Sequence, residues 1–243
     1  DLMSRGTITN DDPKLNVDWV NQFSRDDYTT DYLAVDDDGN TYVTGSFEGT
    51  LTLGDDTLTA EDSLDIFVAK LDKDGDVLWA DSFGGDDFDV VDDIAVDDDG
   101  NTYFTGTFYG TATFGDENLE SDEDGDFGDV FIAKLDNNGD VIWAKDFGNT
   151  NDDEYASAID LDNEGNVYIT GEFEEEVTFG STTLEGSVFI AKLDGNNGDA
   201  LWANEFNTIE DNSYIEASGI VADDEGSTYI AGDFNETATF GDT

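Results

Sequence analysis

This chain writes one acidic turn and one tyrosine strand four times. The stretch "VDDDGNTYVTG" begins at Val35 and returns as "VDDDGNTYFTG" from Val96, "LDNEGNVYITG" from Leu161 and "VADDEGSTYIAG" from Val221. Repetition at a fixed period means that each copy is one supersecondary unit, whose apolar face is buried by its neighbours. Two aromatic markers set the period. Trp19, Trp79, Trp143 and Trp202 are spaced by 60, 64 and 59 residues, and Tyr42, Tyr103, Tyr168 and Tyr229 by 61, 65 and 61. A third marker, "DIFVAKLD", "DVFIAKLD" and "SVFIAKLD", starts at Asp65, Asp129 and Ser187. A hydrophobic-Gly pair follows each tyrosine strand, at Leu53, Phe114, Phe179 and Phe240.

Each period reads as four strands. "DIAVD" alternates apolar and polar, "DDGN" turns the chain, and "TYFTGTF" is the second strand. After a loop, "DVFIAKLD" is the third, "NNGD" turns again, and "VIWAKDF" is the fourth. Val, Ile, Phe, Tyr and Thr crowd these segments, as half-buried pleated surfaces favour. No segment carries a helical period. The expected fold is therefore all-β, a β-propeller of four four-stranded blades. The expected boundaries are blades at 31–83, 92–147 and 156–206, with a half-blade of third and fourth strands at 1–23 and one of first and second strands at 217–243. The two halves share one blade, which closes the ring and removes two sheet edges. The alternatives are closure in trans, which propagates into a polymer, or a fragment of a larger propeller.

The quoted motifs resemble a bacterial β-propeller repeat family described as seven-bladed, with units like D-x-A-x-D-x-x-G-N-x-Y-V-T-G followed by F-V-A-K-L-D-x-x-G-x-x-x-W. The resemblance covers nearly the whole chain. It implies secreted or cell-surface proteins and brings no catalytic motif. The chain departs from it in counting four blades rather than seven, in longer repeats and in acidity.

Composition narrows the function classes. Asp and Glu number 62 against 8 Lys and Arg, a formal charge of −54. Such a surface repels nucleic acid and anionic lipid. With 37% hydrophobic and 12% aromatic residues the chain still builds a core, so the acid marks adaptation to concentrated salt rather than disorder. Cys and His are absent, which excludes disulfides, thiolate and imidazole metal sites and Ser-His-Asp triads. No run of 18 apolar residues crosses a membrane. The sequence opens on Asp1 without a signal peptide, so a processed chain or a fragment is expected. The location expected is extracellular or at the cell surface.

Carboxylates are the only chemistry in quantity. The turn Asp36-Asp37-Asp38-Gly39-Asn40 and its copies read as bends, in which Asp caps its own turn and Gly takes positive φ. Calcium is the expected cofactor, if any. Its candidate ligands are Asp122, Asp124, Asp126 and Asp129 in a Gly-rich insert, and Asp72, Asp74 and Asp76 in a third-to-fourth-strand turn. The connections between blades lead to the innermost strands and gather on one face. They supply a candidate binding face: Asp26, Asp27, Tyr28, Asp86, Asp87, Phe88, Asp153, Glu154, Tyr155, Asp211 and Tyr214. A glycan or a cationic protein would suit it; the competing reading packs these aromatics between blades. Arg5, Lys70, Lys134 and Lys192 share one repeat position, which points to a structural partner, an Asp on an adjacent strand. The tryptophans read as packing between blades. No catalytic residue stands out. The expected function is a non-enzymatic binding or structural module. Its rivals are a filament or surface-layer subunit joined through terminal half-blades, and a carbohydrate-active enzyme using axial carboxylates.

Overall fold

A computed structural model describes residues 31–121, 127–149, 152–208, 214–223, 225–235 and 237–240. Every regular element among them is a β-strand. The first unit runs β1 (Tyr32–Val35), β2 (Thr41–Leu53), β3 (Asp56–Leu71) and β4 (Val77–Gly85), each paired antiparallel with the next. The second repeats this order in β5 (Asp89–Val96), β6 (Thr102–Tyr109), β9 (Gly128–Leu135) and β10 (Val141–Phe147). The third does so in β11 (Glu154–Leu161), β12 (Val167–Phe173), β15 (Val188–Leu193) and β16 (Ala200–Thr208). β17 (Ile215–Ala222) and β18 (Thr228–Phe234) pair as the first two strands of a fourth copy.

An element missed in the sequence lies between the second and third strands of each unit. In the second unit it is the hairpin β7 (Thr111–Phe114) and β8 (Glu117–Glu120); in the third, β13 (Val177–Phe179) and β14 (Thr182–Leu184). In the first unit β2 and β3 simply run on to form it, with a register shift between Glu48 and Thr50. The hairpin reaches backwards. β7 pairs with β4 through Gly84–Thr113 and Gly85–Ala112. Further along the chain β19 (Ala238–Phe240) pairs likewise with β16. β4 and β16 would otherwise be exposed edges; a strand of the next unit covers the end of each.

The first strands stand in a row, β1 beside β5, β5 beside β11 and β11 beside β17. Packing between units makes the core. Ile94 of β5 lies with Tyr42, Ile66 and Val68 of the preceding unit, and Ile159 of β11 with Tyr103, Val130 and Ile132. Ile220 repeats the contact with Tyr168 and Ile190. Because β9 has a neighbouring unit on each side, all of Gly128–Leu135 is buried, and its sequence is apolar without alternation.

The repeated "TG" now has its reason. Strands β5, β11 and β17 each carry a bulge, at Val91/Asp93, Ala156/Ala158 and Ala217/Gly219. There the first strand presses on the second: a Cβ on Gly106 would run into the Val90 carbonyl, and one on Gly171 into that of Tyr155. The Thr before the glycine donates to a third-strand carbonyl, Thr44 to Phe67 at 2.7 Å, Thr105 to Phe131 at 2.8 Å and Thr170 to Phe189 at 2.7 Å.

Candidate functional site

Antiparallel connectivity sorts the loops onto two ends. The Asp-rich turns lie at one end, and the connections between units, with the hairpins, at the other.

At the turn end the repeated acid holds its own bend. Asp97 Oδ1 accepts from the amides of Asp99 at 3.0 Å and Asn101 at 2.8 Å, while Oδ2 accepts from Asn101 Nδ2 at 2.8 Å and Tyr103 Oη at 3.2 Å. Asp36 and Asp162 make the same set, and Gly39 takes φ 83°. Burial alone would raise the Asp162 carboxyl. The hydrogen bonds from Asn166, Lys192 and Tyr168 outweigh it and hold the group at about 2.

The lysine of each unit rests on the tyrosine of the same unit. Lys70 lies over Tyr42, Lys134 over Tyr103 and Lys192 over Tyr168, each 4.8 Å from the ring centre. The tryptophan closes the set edge-on to the same ring, at 6.4 Å for Trp79, 6.3 Å for Trp143 and 6.1 Å for Trp202. This latch grips the next unit's turns. Trp79 Nε1 donates to the Asn137 carbonyl at 3.1 Å and Lys70 Nζ to Asn137 Oδ1. Trp143 Nε1 and Lys134 Nζ both donate to the Gly195 carbonyl, at 3.2 and 2.8 Å. The expected Asp partner sits on the turn before the second strand rather than on a strand: Lys192 meets Asp162 at 3.0 Å and Lys70 meets Asp36 at 3.9 Å. Lys134 relies on the carbonyl, and burial lowers its pKa. Arg5 lies outside the described residues.

The calcium candidates fall in different settings. Asp72 Oδ1 accepts from the amides of Asp74 and Asp76, both at 2.9 Å, so it is engaged by its own turn, and Asp74 pairs with exposed Lys73 at 2.5 Å. Asp122, Asp124 and Asp126 lie outside the described residues. Asp129 is buried on β9. Among the described residues no group of three or more carboxylates is gathered where it could hold a metal ion.

Asp26, Asp27, Tyr28 and Asp211 of the binding-face candidates also lie outside the described residues. The rest share the loop end. Phe88, Tyr155 and Tyr214 are 57, 42 and 49% exposed, so these aromatics are not packed between units. Asp86 and Asp87 are exposed beside Phe88, and Asp153 accepts from the Gly128 amide at 2.9 Å. Burial, then hydrogen bonding with Tyr109 and Asp153, pushes the Tyr155 hydroxyl above its ordinary range.

Glu154 departs from its expected role, because it is fully buried. Its carboxylate accepts from Asn149 Nδ2 at 2.5 Å. Burial, together with the charge of Asp129, pushes it up to about 9. Asp89 occupies the same position one unit earlier, is also fully buried, and is pushed up to about 8 by burial and by Asp65, against the Gly85 amide that donates to it at 2.8 Å. Nothing in the sequence marks these two as buried among the 62 acids of the chain.

No protein-family model matches the chain, and no curated protein matches it.

Proposed function

We propose that this chain is a non-enzymatic binding or structural module of the β-propeller type, working outside the cell in concentrated salt. The binding reading is carried by Phe88, Tyr155 and Tyr214, which stand exposed beside carboxylates at one end of a rigid scaffold. Flat aromatic faces next to acids suit a hydroxyl-rich or cationic partner. The extracellular setting is supported by the family resemblance, and the saline one by a charge of −54, whose self-repulsion is screened within about 3 Å at molar salt. A glycan array on the full chain and on Phe88→Ala/Tyr155→Ala tests this: binding that the double variant loses supports it. Turnover in a hydrolysis screen would refute a non-enzymatic role and favour the axial-carboxylate enzyme.

Four blades closed into a ring belong to the same proposal. Its support is two bare faces that complement each other. Leu33 is 68% exposed, whereas Ile94, Ile159 and Ile220, its repeat-mates, are buried against the preceding unit's tyrosine face. Tyr229 is 62% exposed, whereas Tyr42, Tyr103 and Tyr168 are buried under the following unit. A cleft of about 740 Å³ beside Trp202, Phe206 and Thr228 lies where a third strand would pack on β18. Residues 1–23, outside the described set, carry Arg5 and Trp19 at the latch positions and are proposed to supply the missing strands. The same faces joined between chains give the filament reading, which these exposed residues equally favour. Light scattering in 2 M KCl decides: constant monomer mass means a ring, and mass that grows with concentration means assembly.

A further inference from the structure

The boundary between units carries a second chemistry, deeper than the loop face. Asp65 lies on the third strand of the first unit beside Gly84 of the fourth, and Asp89 opens the first strand of the next unit. The two carboxylates meet at one point. A Cβ on Gly84 would lie 2.7 Å from Asp89 Oδ2 and 2.8 Å from Asp65 Oδ1. Asp65 is 4% exposed and Asp89 0%. Asp89 Oδ1 has no hydrogen-bond partner among the described residues, although its carboxylate is sealed from solvent. A buried acid oxygen left so is costly unless something positive reaches it.

The next boundary repeats the arrangement. Asp129 opens the third strand, Glu154 the following first strand, and Gly148 stands where a Cβ would collide with the Asp129 carboxylate. Asp129 is 3% exposed and Glu154 0%. At the third boundary all three positions change together. Ser187 replaces the Asp, Asn207 the Gly, and Ile215 the second acid, with Ile215 buried against Val188 and Ala217. Acid, acid and the glycine that makes room for them are present or absent as a set. An acid kept only for hydrogen bonding would have no reason to disappear with its neighbour.

We propose that each of the first two boundaries binds one divalent cation, calcium by preference, bridging Asp65 to Asp89 and Asp129 to Glu154 across adjacent units. Main-chain carbonyls and water complete the shell. Calcium suits an irregular oxygen set that joins two separate strands, whereas magnesium demands octahedral regularity and holds its water. The third boundary does without, because Ser187, Asn207 and Ile215 carry no charge at the corresponding positions.

Equilibrium dialysis of the full chain against calcium chloride in 2 M KCl tests this, with potassium occupying the exposed acids. Asp89→Asn is expected to lower the number of tightly held calcium ions by one, and Asp89→Asn with Glu154→Gln by two. Circular dichroism checks that each variant is folded. Asp72→Asn, at the exposed turn, is expected to leave the number unchanged. The thermal midpoint should rise with calcium over chelator in the wild type and lose most of that rise in the double variant. An unchanged calcium count in the folded variants overturns the proposal. So does a wild type that holds no calcium while Asp89→Asn is the more stable protein, the pattern of two acids sharing a proton.

Discussion

Phe114 fastens one unit to the one before it, and its removal should be felt across both. It sits on the hairpin that pairs with β4, is fully buried, and stacks on Phe83 of the preceding unit at 5.6 Å with an interplanar angle of 13°. Its own unit contributes Phe131 at 5.0 Å and Phe104 at 6.2 Å. Truncating a buried Phe to Ala costs about 3–5 kcal/mol, and each aromatic pair adds about 0.5–1.5 kcal/mol beyond burial. With rings on three sides and little freedom to collapse, Phe114→Ala should cost about 4 kcal/mol. Phe114→Leu keeps most of the volume and should cost about 1–2 kcal/mol. Urea unfolding in 2 M KCl, followed by tryptophan fluorescence, measures both. Phe179→Ala supplies an internal repeat, since Phe179 stacks on Phe147 at 4.8 Å and lies 5.0 Å from Phe189. A loss below about 1 kcal/mol for Phe114→Ala, with an unchanged urea slope, would show that the hairpin does not join the units.

Other outcomes follow from the latch, the bare faces and the charge. Asp162 titrates near 2 in the folded chain against 3.8 unfolded, so its contribution is complete above the unfolded value and is lost as pH falls through about 2. That shift corresponds to about 2 kcal/mol before screening by water at the turn and about 1 kcal/mol after it, and Lys192→Met should shrink this acid limb in pH-dependent unfolding. If the acid limb is the same in Lys192→Met, the ion pair is idle. Tyr229→Glu should cost at least about 1–2 kcal/mol where the tyrosine face is covered by closure, and stay within about 0.5 kcal/mol where it stays in water. Raising KCl from 0.1 to 2 M should raise the thermal midpoint, because like charges are screened; a flat midpoint would mean that self-repulsion is already neutralised.

Much of this architecture was legible in the letters, for physical reasons. Strands and turns follow from a local pattern, so the period, the four strands per unit and the Asp-capped bend at Asp36, Asp97 and Asp162 could be read directly. The lysine position was readable as structural, but not the ring beneath it, since that depends on which strand lies next to which. The hairpins escaped because β7 finds its partner in the preceding unit, although "TATFGDENL" alternates as a strand pair should. Phe88 and Tyr155 were named for the binding face against a competing core reading, and both stand in water. Asp65 and Asp89 carry no local mark at all. Only the joint change to Ser187, Asn207 and Ile215 distinguishes them, and it has meaning only once the strands are aligned by register.

The backward reach of the hairpins gives the molecule a direction in time. A ribosome delivers β4 before β7, so each sheet emerges with its last strand unguarded and waits for later residues to shield it. During synthesis the growing end is therefore always the sticky one, and delay there would expose fresh edges to neighbouring nascent chains.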